Sequence, residues 1–110
     1  MPVELSESDF HKRVKTILDS LEDQVMEIDA EVEAVPTSGV LTIELPDGGP
    51  FVLSQQTPAR ELWLSANFRA SHYAFDGELW LDTKGGEELF TALQRLLTER
   101  LGLEIGLERP

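Results

Sequence analysis

The stretch Phe10 to Ala34 reads FHKRVKTILDSLEDQVMEIDAEVEA, and the period of its apolar residues changes within it. Phe10, Val14, Ile17, Leu18, Leu21 and Val25 recur at helical spacing and line one face of an amphipathic helix. Ser6 with Asp9 three positions on is a capping-box-like start, and Glu7 and Asp9 suit the positive end of a helix dipole. The spacing therefore predicts a helix over about Ser6 to Met26. From Glu27 the period becomes two: Ile28, Ala30, Val32 and Ala34 alternate with Asp29, Glu31 and Glu33. That alternation predicts a half-buried strand with an acidic outer face.

Working outward, Pro36 to Ser38 reads as a turn and Gly39 to Leu45 (GVLTIEL) as a strand; Pro46-Asp47-Gly48-Gly49 closes a hairpin onto Phe51-Val52-Leu53. Gln56-Thr57-Pro58-Ala59 breaks that strand, Glu61 to Ala66 (ELWLSA) resumes extended structure, and Ser71 to Phe75, Asp76-Gly77 and Glu78 to Asp82 form another hairpin. Thr83 to Gly86 ends the sheet. Leu89, Phe90, Leu93, Leu96, Leu97 and Leu101 make a second helical stripe closed by Gly102, and Leu103, Ile105 and Leu107 lie across a hydrophobic seam.

Short connections make the sheet mainly antiparallel. The expected fold is α+β: a two-layer sandwich, with two helices packed on one face of about six strands, in one domain over residues 1–110. The other sheet face stays open. In ELWLSA, Leu62 and Leu64 share one face while Trp63 shares the other with Glu61 and Ser65, so Trp63 stands on the open face. Phe51, Phe75 and Trp80 are expected in the core.

Charge is the second informative feature. The chain has 21 Asp plus Glu against 9 Lys plus Arg, a net charge of −12, which excludes nucleic-acid binding through a basic groove. No cysteine is present, so disulfides and thiolate chemistry are excluded. With no long apolar run and no signal-like N-terminus, membrane spanning and secretion are not indicated, and a cytoplasmic location is expected. Between Lys15 and Arg60 lie nine acids and no base: Asp19, Glu22, Asp23, Glu27, Asp29, Glu31, Glu33, Glu44 and Asp47.

Asp19, Glu22 and Asp23 are neighbours in the last turns of the first helix, where the dipole is negative and like charges repel. Stability alone would not select them. A surface of carboxylates binds hard cations such as Ca²⁺, Mg²⁺, Mn²⁺ or iron, or docks on a basic protein patch. The spacing does not match an EF-hand loop, so no single metal is specified. His11 is read as an exposed helical residue without a partner at zinc-dyad spacing, and His72 as a surface or edge residue. Neither GxGxxG nor GxxxxGK[ST] occurs.

The ordered set Phe10-His11 on an acidic helix, Gly39-Val40-Leu41-Thr42-Ile43, Gln56-Thr57-Pro58, Leu62-Trp63-Leu64-Ser65 and Leu79-Trp80 resembles the frataxin family, in its bacterial CyaY branch. The resemblance spans Ser8 to Leu107. It implies an acidic iron-binding protein that binds the cysteine desulfurase and the iron–sulfur scaffold protein and regulates iron–sulfur cluster assembly; an enzyme is not expected. The family's acidic ridge falls on Glu22, Asp23, Glu27, Asp29, Glu31 and Glu33, with Asp19 at its margin, and its sheet-surface partner site on Gln56 and Trp63. The implied partner contacts are Glu22, Asp23, Asp29, Glu31, Gln56 and Trp63. Glu61 stands where the family usually has Gln, and Ala70 or Ser71 where it has Gly.

Carboxylates without imidazole or thiolate imply weakly bound Fe²⁺ or Fe³⁺, with other divalent cations accepted, on a monomer that metal could bridge into oligomers. Two other classes stay open: an acidic decoy for a basic partner with no metal role, and a ferroxidase. The second would need a Glu-x-x-His carboxylate and histidine cluster that the sequence lacks.

Overall fold

A computed structural model describes residues 4–110; residues 1–3, which the sequence reading includes in the domain, lie outside the described residues. The order is α1 (Glu7–Met26), β1 (Glu33–Thr37), β2 (Val40–Glu44), β3 (Phe51–Gln56), β4 (Glu61–Ala66), β5 (Arg69–Phe75), β6 (Trp80–Asp82) and α2 (Leu89–Leu101). The six strands form one antiparallel meander in chain order, and both helices lie on one of its faces.

Helix α1 begins where its cap places it. Ser6 is extended, and its hydroxyl accepts from the Asp9 N–H at 3.1 Å. Phe10, Val14, Ile17, Leu21 and Val25 are buried, against Leu41, Ile43, Phe51, Leu53, Leu62, Leu64, Tyr73, Phe75 and Trp80 from the sheet. Phe51, Phe75 and Trp80 are core residues, as expected. Helix α2 is capped by the Glu88 carboxylate, which accepts from Phe90 and Thr91 N–H, and ends at Gly102 in the left-handed conformation (φ 67°).

The C-terminal segment occupies the seam between the helices. Ile105 is buried, and its N–H donates to Thr98 Oγ1. Leu107 N–H donates to Gln94 Oε1, and the Gln24 amide exchanges two 2.8 Å hydrogen bonds with the Glu108 backbone. One glutamine from α1 and one from α2 thus hold the tail where its alternating Leu and Ile residues fill the groove.

Three local expectations are corrected. The segment from Glu27 to Val32 is not a strand. Its N–H groups close short turns, Ala30 on Ile28 at 2.9 Å and Val32 on Ala30 at 2.8 Å. The ladder explains why: β1 pairs with β2 from Glu33↔Glu44 to Thr37↔Val40, and beyond Glu44 the partner strand has ended. The alternation reported which side chains turn inward and nothing about pairing.

Pro36 and Thr37 belong to β1 rather than to the turn, which sits at Ser38-Gly39. Proline is tolerated because β1 is the sheet's edge. Gly39 is required there: its φ is 78°, and a Cβ would lie 2.6 Å from the Gln55 side chain. Finally, β5 starts at Arg69, directly after a two-residue turn at Asn67-Phe68, and β6 is confined to Trp80–Asp82.

Candidate functional site

The acidic residues come from four neighbouring parts of the fold: the end of α1, the loop after it, β1 and β2. Asp19, Glu22 and Asp23 project from the last turns of α1, which carries no base in its final turn. Glu27, Asp29 and Glu31 follow on the irregular loop, all exposed, while Ile28, Ala30 and Val32 turn inward. Glu33 opens β1, opposite Glu44 of β2. Since their neighbours Ala34 and Ile43 face the helices, Glu33 and Glu44 face the open side of the sheet. Cross-strand like charges are unfavourable, and here they carry the acidic surface around the sheet edge.

Two of the nine acids are neutralised by bases from outside the segment. Lys15 Nζ lies 2.7 Å from Asp19 Oδ2, and the hydrogen bond and charge of Asp19, with a smaller contribution from the charge of Glu22, raise the lysine's pKa. Arg100 of α2 pairs with Asp47, holding that carboxyl below its ordinary value. The other seven, Glu22, Asp23, Glu27, Asp29, Glu31, Glu33 and Glu44, have no basic partner within 4.0 Å among the described residues. No three His, Asp or Glu side chains converge on a common point among the described residues. The carboxylates are spread along a ridge. Carboxylate oxygens are the donor type that hard cations take, but the described residues do not gather three of them into one shell.

The open sheet face holds the second candidate cluster. Trp63 sits at its centre, opposite Ser54 on β3 and His72 on β5, and is 37% exposed. Gln56 lies on the same face, diagonal to Trp63, with its amide donating to Ser54 Oγ. Glu61 Oε1 accepts from Trp63 Nε1 at 2.9 Å and lies 3.8 Å from His72 Nδ1. The indole is thereby held at its edge by Glu61, and the His72 ring stacks on its face. Apart from Glu61, the middle of this face is neutral: Val35, Thr42, Val52, Ser65 and Ala70 form one cross-strand row beside it.

Residues 3–103 match the sequence model of the frataxin-like domain. The chain belongs to the frataxin family. It is 35% identical over 108 residues to the iron-sulfur cluster assembly protein CyaY of Cupriavidus metallidurans, covering 94% of this chain and 97% of that protein. It is 34% identical over 107 residues to the protein of the same name from Bordetella parapertussis, covering 94% and 98%. Among solved structures, the frataxin of Psychromonas ingrahamii superposes with a TM-score of 0.89 at 20% identity, covering 96% of this chain and all of that one. Yeast frataxin gives 0.75 at 22% identity, covering 90% of this chain and 85% of that one. These two likenesses concern the fold, and the six-stranded sheet with two helices is the frataxin fold.

Within this frataxin domain, the residues singled out from sequence separate into two regions. Asp19, Glu22, Asp23, Glu27, Asp29, Glu31 and Glu33 lie along one edge of the sandwich, from the end of α1 to β1. Gln56 and Trp63 lie on the open sheet face. The sequence reading missed His72 as a partner of Trp63. A signal was present: a two-residue turn at Asn67-Phe68 places Trp63 opposite His72 by counting back equally along both strands. Asn favours the positive φ such a turn needs. His72 is a surface residue, as expected, but on an inner strand rather than an edge.

Proposed function

We propose that this frataxin-family protein is an iron-binding regulator of iron–sulfur cluster assembly that docks its acidic ridge on a basic patch of the cysteine desulfurase. The observation that carries the reading is the run of carboxylates without basic partners from Glu22 to Glu44. The relatives' names, iron-sulfur cluster assembly protein, supply the process. Fe²⁺ or Fe³⁺ is held weakly by these surface oxygens, with Asp19 at the margin. Weak, exchangeable binding suits a sensor or donor better than a store. The protein acts as a single cytoplasmic domain, a monomer that metal can bridge into oligomers, and it binds without catalysing turnover.

Charge complementarity sets encounter rate and salt sensitivity, while Trp63 and Gln56 provide a second, aromatic contact on the open face for the scaffold protein or the assembled complex. The test is a binding titration with purified desulfurase at two salt concentrations, with and without Fe²⁺. Affinity is expected to fall with salt. It should be lost when Glu22, Asp23 and Asp29 are together changed to Lys. Unchanged affinity in that triple variant overturns the docking reading.

A further inference from the structure

The two-residue turn joining β4 to β5 contains a residue that no other part of the fold explains. Ala66 pairs with Arg69, and Asn67 and Phe68 between them have φ 52° and 64°. Positive φ at both central positions is the type I′ hairpin, whose preferred second residue is glycine. For a bulky side chain this backbone region is a genuine outlier. The Phe68 ring is also completely exposed, at 108% relative accessibility, and so gains nothing from burial within the chain. A single exposed apolar residue needs no explanation. An exposed aromatic that also strains its own backbone has two terms against it, and such outliers point to function.

The turn is held firmly. Arg100 Nη1 donates to Asn67 Oδ1 at 2.8 Å, Arg100 Nε donates to Asp47 Oδ2 at 3.1 Å, and the guanidinium lies 5.4 Å from the Phe51 ring centroid. One arginine at the end of α2 therefore clamps the β2–β3 and β4–β5 turns together. Phe68 projects from a fixed base, which lowers the entropy lost on docking.

This tip lies at the same end of the sandwich as the acidic loop. Glu33 opens β1 opposite Glu44 at the end of β2, and three residues on, Asp47 is joined through Arg100 to Asn67. The end of the molecule thus runs from the acidic loop through the β2–β3 turn to Phe68. We propose that Phe68 is a docking anchor that inserts into an apolar socket beside the basic patch of the protein that receives the acidic ridge. The proposal rests on the docking reading above for the identity of that protein. An aromatic anchor in a socket, flanked by long-range charge attraction, divides the work between residence time and encounter rate.

The experiment compares wild type, Phe68→Gly, Phe68→Tyr and the Glu22, Asp23, Asp29 to Lys triple variant in binding to purified cysteine desulfurase, with thermal unfolding of each. Phe68→Gly is expected to raise Tm by several degrees while weakening binding about tenfold, mainly through faster dissociation. Phe68→Tyr retains most of the affinity. If Phe68→Gly binds as wild type while the triple variant does not, the anchor is wrong and the acidic docking stands. If Phe68→Gly weakens binding while the triple variant does not, the acidic docking is wrong and the anchor stands. Wild type that fails to bind overturns both, and a Phe68→Gly protein no more stable than wild type overturns the strain argument.

Discussion

The imidazole of His72 lies flat on the indole of Trp63, with ring centroids 4.2 Å apart and planes within 7°. Glu61 bonds the indole N–H and faces the imidazole, so three side chains from two adjacent strands fix one another on an otherwise open sheet face. Offset-stacked rings contribute about 0.5–1.5 kcal/mol beyond burial, whereas an aromatic anchor at an interface contributes about 2 kcal/mol or more. Trp63→Ala is therefore expected to lower stability by about 1 kcal/mol in denaturant unfolding but to weaken partner binding about 30-fold. Glu61→Gln keeps the indole hydrogen bond through the amide oxygen and is expected to leave affinity nearly unchanged. Full affinity in Trp63→Ala would favour docking through charge alone.

Lys15 at 2.7 Å from Asp19 divides the three acids of α1 into two kinds. The sequence suggests that neutralising Asp19, Glu22 and Asp23 together relieves the helix. The structure restricts the relief to Glu22 and Asp23, which face the negative helix end unpaired. Replacing those two by Gln and Asn is expected to stabilise by about 0.3–1 kcal/mol, and Asp19→Asn to lower Tm slightly. Parallel melting curves of the single and double variants at low salt check the division, and a gain from Asp19→Asn would contradict it.

Arg100 joins Asp47, Asn67 and the face of Phe51, with its side chain only 18% exposed. Arg100→Met is expected to lower Tm by several degrees, and Arg100→Lys to recover only part, since a point charge cannot span both turns. The pairing also has a pH signature. Asp47 titrates below its ordinary value in the folded state, so its contribution is present above the ordinary carboxylate pKa and is lost as pH falls through the lowered one. Arg100→Met should remove that part of the acid limb of the stability curve. An acid limb identical to wild type would show that Asp47 gains nothing from Arg100.

Tyr73 is the only tyrosine and is buried between sheet and helices; desolvation first, then the charges of Asp82 and Glu87, push its pKa from 10.0 to about 12. The neutral phenol is favoured in the fold. The raised pKa leaves stability intact below pH 10, where the unfolded chain is also neutral, and removes it progressively up to about pH 12 as the unfolded tyrosine ionises first. Tyrosinate absorbance should therefore appear together with loss of native circular dichroism. Ionisation near pH 10 in a chain that remains folded would contradict this, and Tyr73→Phe should flatten the alkaline decline.

The helical spacing of Phe10 to Val25 and the two-residue spacing of ELWLSA were sufficient for the layers, because each element's face is a local property of one segment. Trp63 on the open face followed from Leu62 and Leu64 in the same way. Glu27 to Val32 failed because alternation is shared by strands and by any segment that buries every second residue, and pairing depends on whether a partner strand is still present.

The sequence by itself determined the sandwich, its core, the family resemblance and which residues are acidic, since composition and periodicity act over a few neighbouring positions. Only the tertiary structure decided which carboxylates remain unpaired. Lys15 reaches Asp19 along one helix, a spacing the sequence contains, but Arg100 reaches Asp47 across more than fifty residues. Tertiary structure likewise stacked His72 on Trp63 and left Phe68 in solvent, because hairpin register and side-chain exposure are set by how separate segments meet.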